Sequence, residues 1–136
     1  MEPDMTEYLI DTNILIYYLT GSLEPEEKPT IDKILQESFN ISIITRIELL
    51  GWKGHSPEGL IKARHLLDCA QCISLTDTIA EKTIEIRSDA SITLPDAVIA
   101  ASAISLDAVL VTRNVKDFAH VNGIKLYNPF YRIDSA

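Results

Sequence analysis

No apolar run in the 136-residue sequence approaches the roughly 20 consecutive residues that a membrane-spanning helix needs, so a spanning role is excluded. Basic residues are short as well: twelve Lys and Arg against twenty Asp and Glu, a formal charge of −8. On bulk charge this disfavours a basic coat for nucleic acid. Histidine is limited to His55, His65 and His120, each in a different segment, and no His/Ser or His/Cys constellation for nucleophilic catalysis emerges. The only cysteines, Cys69 and Cys72, have C-x-x-C spacing. They close a helical pattern and enter a strand, whereas a thioredoxin-like pair follows a strand and opens a helix. Zinc would want two more ligands at suitable spacing. Two small, partly buried side chains are expected instead. The stretch Gly51–Gly59 has three glycines but neither phosphate-loop spacing. The acidic start of the chain lacks the basic head of a signal peptide, and with so few cysteines a reducing, cytosolic setting is the expectation.

What is present is an ordinary globular composition, 46% apolar and 24% charged. No repeat or linker divides it, so residues 1–136 are read as one domain. Short apolar runs alternate with longer helical patterns. Tyr8–Ile10 reads as a buried strand, followed by a turn at Asp11-Thr12-Asn13 and a helix to about Gly21. A loop over Gly21–Pro29 leads to a helix over Thr30–Phe39. Ile41–Ile44 reads as a strand, with Thr45 capping a helix over Arg46–Trp52. A helix over Pro57–Ala70 leads to a strand over Cys72–Leu75, and Thr76-Asp77 cap a helix to about Asp89. Thr93–Asp96 open the most apolar helix, with Pro95 in its first turn. Then come a strand over Ala108–Val111, a short helix near Val115–Ala119 and a last strand around Lys125–Tyr127. Such alternation predicts an α/β fold, a three-layer α/β/α sandwich around a mostly parallel sheet of four to five strands.

Most carboxylates, among them Glu24, Glu26, Glu27, Glu58 and Glu81, have polar neighbours and read as solvated surface. Asp11, Glu48 and Asp96 instead adjoin apolar residues. On the predicted fold they share the edge formed by the carboxyl ends of the strands, where open α/β sheets bind ligands. Acids crowded there repel one another unless a cation offsets them, and hard dications such as Mg²⁺ or Mn²⁺ suit oxygen ligands. Blander roles stay open for each: a cap or turn for Asp11, a solvent-facing pair with Arg46 or Lys53 for Glu48, and a favourable helix N-terminus for Asp96.

The segments LIDTNILIYYL (9–19), ITRIELLGW (44–52), LPDAVIAASAISLDAVLVTRNVKDF (94–118) and LYNP (126–129), in that order, resemble the PIN-domain family. They are most similar to the VapC-type toxins of toxin–antitoxin pairs. The resemblance implies a PIN-like fold and a Mg²⁺- or Mn²⁺-dependent ribonuclease hydrolysing RNA phosphodiesters. It implies a cognate antitoxin, a homodimer and a cytoplasmic location. Carried over by position, Asp11, Glu48 and Asp96 match the family's first three acids. The fourth falls on Asn114, which adds no charge, so Asp117, one helical turn on, either supplies that charge or stands behind it. Thr12, Asn13, Thr45 and Thr112 resemble residues lining the pocket. Arg46, Arg113 and Lys116 are candidates for RNA phosphate, with Lys53, Lys62 and Arg64 behind them. Tyr17, Tyr18 and Trp52 offer faces for base stacking or, alternatively, core and interface contacts. The first two helices with Trp52 nearby are a candidate antitoxin groove. Asn114 favours a rival, a PIN fold that binds RNA or protein without cutting. A structure-specific DNA nuclease is a further rival, to which 136 residues leave little room.

Overall fold

The computed structural model describes residues 6–130. Five strands form one parallel sheet: β1 (Tyr8–Ile10), β2 (Asn40–Ser42), β3 (Gln71–Ile73), β4 (Val109–Val111) and β5 (Lys125–Tyr127), in the spatial order β3-β2-β1-β4-β5. The chain builds outward from β1 to β3, then crosses back to lay β4 on the other flank of β1. The junction of β1 and β4 is therefore the topological switch point, where the loops leaving adjacent strands diverge and open a crevice.

The period-two alternation of the central strands divides the core in two. Leu9 and Leu110 face a cluster built on α5 (Asp77–Asp89) and α6 (Leu94–Ser105), where Ala97, Ala100, Ala101 and Ala103 let helix and sheet approach closely. Ile10, Ile41 and Val111 face the opposite cluster, with Ile14 and Leu15 of α1 (Thr12–Thr20), Ile31 and Ile34 of α2 (Lys28–Glu37), Leu49 of α3 (Ile43–Leu50) and Ala63 of α4 (Pro57–Leu67). The short α7 (Val115–Phe118) plugs Phe118 into the first cluster. This is the three-layer sandwich expected, with all five strands parallel.

Several local expectations are corrected. The second strand ends at Ser42, not Ile44, because the Ser42 hydroxyl accepts the Ile44 amide at 3.1 Å and starts α3 at Ile43. Ser42 is thus the cap in place of Thr45, which is fully buried within the helix. Strand β3 starts one residue earlier than Cys72 and stops at Ile73. Glu27 is buried rather than solvated, since its carboxylate folds back to accept the Glu24 amide at 2.8 Å. Cys69 and Cys72 are exposed rather than partly buried: Cys69 follows the end of α4, and Cys72 lies on an edge strand. Gly21 ends α1 in the left-handed conformation, φ 71°, which glycine adopts without the steric cost of a Cβ.

Candidate active site

The register brings the first two polar groups together. Ile10 pairs with Val111, so Asp11 and Thr112, each one residue past its strand, stand side by side at the switch point. The Thr112 hydroxyl donates to Asp11 Oδ2 at 2.8 Å and accepts the Asn114 amide at 2.9 Å. Asp11 Oδ1 accepts the Thr12 amide at 2.8 Å, capping α1. Cap and cleft residue are thus one and the same side chain. Asp11 is only 6% exposed. Burial pushes its carboxyl up to about 6, against the bonds from Thr112 and Thr12, and the charges of Asp96 and Glu48 push the same way.

Glu48 reaches the crevice from α3. It is exposed, not enclosed by its apolar sequence neighbours, and its Oε1 lies 2.7 Å from the Thr12 hydroxyl. That hydroxyl also lies 3.1 Å from Thr45 Oγ1. Asp96 sits in the first turn of α6, capped by Thr93. Its carboxyl is raised first by burial, against the Thr93 hydroxyl, and then by Asp117 and Glu48. Asp117 and Asn114 stand exposed on and before α7; the Asn114 side chain makes no capping bond.

Asp11, Glu48, Asp96, Asn114 and Asp117 line one open cleft of about 480 Å³. Thr12 and Asn13 line it too, whereas Thr45 and Thr112 lie fully buried and serve the cleft through hydrogen bonds. Ile16 and Trp52 complete the wall. The sequence offered Trp52 for base stacking without placing it in this cleft and did not single out Ile16, although helical spacing carried that signal: Ile16 lies four residues after Thr12.

No ion pair compensates these carboxylates among the described residues; the pairs present are Lys28–Asp32, Lys82–Glu85 and Lys125–Asp107, all elsewhere. Of the three candidate phosphate contacts, Arg113 stacks on Tyr17 and Phe130, 5.1 Å and 4.9 Å from the ring centres. Arg46 does not line the cleft; burial pushes the Cys72 thiol up, and the charge of Arg46 opposes that shift. Only Lys116 stands at the rim, in a cavity that shares Asp96 and Asp117 with the cleft. The three carboxylates expected to hold a cation, Asp11, Glu48 and Asp96, all line this cleft. The acids share a cleft, but among the described residues no three His, Cys, Asp or Glu groups form a ready-made metal cage. An open, all-oxygen donor set suits a hard dication that keeps several of its waters, as Mg²⁺ does when one or two carboxylates hold it.

The family model of the PIN domain matches residues 8–124. No curated protein matches the chain. Among solved structures, a toxin–antitoxin complex from Klebsiella pneumoniae contains a chain 32% identical, covering 93% of this sequence and 100% of its own, with a TM-score of 0.72. The DNA-bound VapBC of Salmonella typhimurium is similar at 24% identity (91% and 98% covered, TM-score 0.79). VapBC2 of Rickettsia felis bound to a promoter DNA fragment is similar at 23% identity (90% and 98% covered, TM-score 0.78).

Proposed function

The chain belongs to the PIN domain family, and from that premise we propose that it is a single-domain, Mg²⁺- or Mn²⁺-dependent ribonuclease. The observation that carries this reading is the cleft of uncompensated carboxylates at the switch point, with Asp11 held buried at a raised pKa. Such an arrangement repels itself until a cation enters. Asp11, Glu48 and Asp96 are the proposed metal holders, with Asn114 contributing its carbonyl and Asp117 its charge from the rim. A bound dication would supply a more acidic water and offset charge on the phosphodiester oxygens. The chain's own groups do the rest. Thr112 and the Thr12 amide fix both oxygens of Asp11, and Thr12 orients Glu48. Lys116 meets a phosphate beside the cleft.

The same reading makes the protein the toxin of a two-gene pair in the cytoplasm, with an antitoxin partner and a second copy of itself. Similarity to chains solved in toxin–antitoxin complexes supports the antitoxin. Among the described residues no helix is long and apolar enough to cross a membrane.

The test is cleavage of RNA by the purified protein with Mg²⁺ or Mn²⁺. Activity should vanish with EDTA and return with excess metal. Cleavage that persists after complete metal removal contradicts the proposal. Asn114 in place of a fourth acid, together with the missing cage, favours the second reading of a binding-only PIN fold; RNA binding without cleavage under any divalent ion would select it.

A further inference from the structure

Building on the ribonuclease reading, the next feature is Trp52, the only tryptophan in the chain. Its side chain lines the acidic cleft with Glu48 and also borders a second cavity, about 220 Å³, with Leu19, His55 and Lys62. A third cavity, again about 220 Å³, shares Asp96 and Asp117 with the cleft and adds Lys116 and His120. The acidic cleft thus shares Trp52 with one of these cavities and Asp96 and Asp117 with the other, and each of the two carries a lysine and a histidine, the first with Glu58 beside them.

The indole is also held in place. A Cβ on Gly54 would overlap Cζ2 and Cη2 of the ring, so Trp52 lies against backbone that only glycine leaves open. His55 meets it edge-to-face, with centroids 5.0 Å apart and planes at 88°, and Nε2 of His55 is anchored 2.7 Å from the Leu49 carbonyl. A large flat side chain fixed this way loses little rotamer freedom when a ligand stacks on it. The other two aromatic candidates are engaged elsewhere. Tyr18 donates to Asp32 at 2.7 Å, and Tyr17 packs on Phe130 at 5.7 Å; neither lines the cleft.

We propose that Trp52 is a stacking platform for an unpaired nucleobase next to the bond being cut. A base in a duplex is already stacked on both faces, whereas a single strand can splay one base onto an aromatic ring. Lys62 and Lys116, one in each adjoining cavity, then meet flanking phosphates.

Steady-state cleavage of a short single-stranded RNA tests this. Loss of one stacking contact should raise KM roughly 5- to 150-fold in Trp52→Ala, with kcat nearly unchanged, while Trp52→Phe keeps most of the affinity. Gly54→Ala retains the indole but displaces it and should raise KM as well. An abasic nucleotide at the neighbouring position should impair the unaltered protein by the same factor and leave Trp52→Ala unaffected, a coupling that a merely structural role does not produce. With Ca²⁺ replacing Mg²⁺, titration with the same RNA should quench the single tryptophan. Independent, additive effects of the abasic site and Trp52→Ala overturn the platform while leaving the ribonuclease reading intact. If no RNA is cleaved, that reading fails and the fluorescence decides the platform: quenching upholds it, and an unchanged spectrum at saturating RNA overturns it. Unchanged RNA kinetics with lost binding of the protein encoded by the adjacent gene also overturns it, and assigns the ring to a protein contact.

Discussion

Asp11 is under conflict at the level of single atoms. It accepts two short hydrogen bonds that favour its charged form, yet burial raises its pKa from 3.8 to about 6. A carboxyl with a folded-state pKa above its unfolded value binds protons more tightly when folded, so stability falls as pH rises from about 4 to 6. The full shift corresponds to roughly 3 kcal/mol. A dication at the cleft would offset that cost where the group is charged. Saturating Mn²⁺ should therefore raise the melting temperature more at pH 7.5 than at pH 5; equal shifts at both would disprove the link. Thr112 supplies one of the two bonds to Asp11 and also accepts the Asn114 amide. Thr112→Val keeps the shape and removes both. We expect metal affinity and RNA cleavage to drop about 10- to 100-fold, the usual cost of losing a hydrogen-bond partner behind a ligand. Activity within twofold of the unaltered protein would remove Thr112 from the proposed machinery.

At the scale of elements, two strand-to-helix junctions set the acids. In both, a polar side chain just past or at the strand's end caps the next helix: Asp11 for α1 and Ser42 for α3. Replacing Ser42 with Ala should cost about 1 kcal/mol and lower the melting temperature by about 3–4 °C for a domain of this size. Because α3 carries Glu48, KM for RNA should move with it; a stability loss without any kinetic change would mean that the cap does not position Glu48. These junctions also mark where the sequence was legible and where it was not. The run Tyr8–Ile10 identified β1, and a cap was one of the roles open to Asp11, but the turn expected over Asp11-Thr12-Asn13 is instead the start of α1, because the Asp11 carboxylate caps the helix at Thr12. The run Ile41–Ile44 misled, since four β-branched or hydroxyl residues suit a strand equally well, and only the Ser42 hydroxyl's bond to the Ile44 amide turns the chain two residues early. Thr45 looked like a cap for the same reason: its hydroxyl type is right, but its burial inside α3 and its contact with Thr12 depend on tertiary packing.

Across the whole molecule, the strand order β3-β2-β1-β4-β5 is what gathers residues 11, 48, 96, 114 and 117 at one cleft. Alternating βα units, helix faces and the common edge of the acids could be read from the sequence, because burial and periodicity are local signals. Which cations reach that edge could not be, because it depends on how side chains find partners. Arg113 adjoins the motif yet stacks on Tyr17 and Phe130, while Lys116, with no better sequence claim, sits at the rim. Ile16 escaped for a similar reason, since an apolar residue at helical spacing signals core as readily as cleft, and Trp52, a base-stacking candidate in the sequence, could not be placed in this cleft without its tertiary neighbours.

Whether these acids hold a divalent cation is decided by calorimetric titration with Mn²⁺. Binding to the unaltered protein should saturate and be lost in Asp11→Asn, whose thermal unfolding should remain cooperative and close to that of the parent. Saturable binding that is unchanged in Asp11→Asn, or none at all to the unaltered chain, would contradict the proposed metal site.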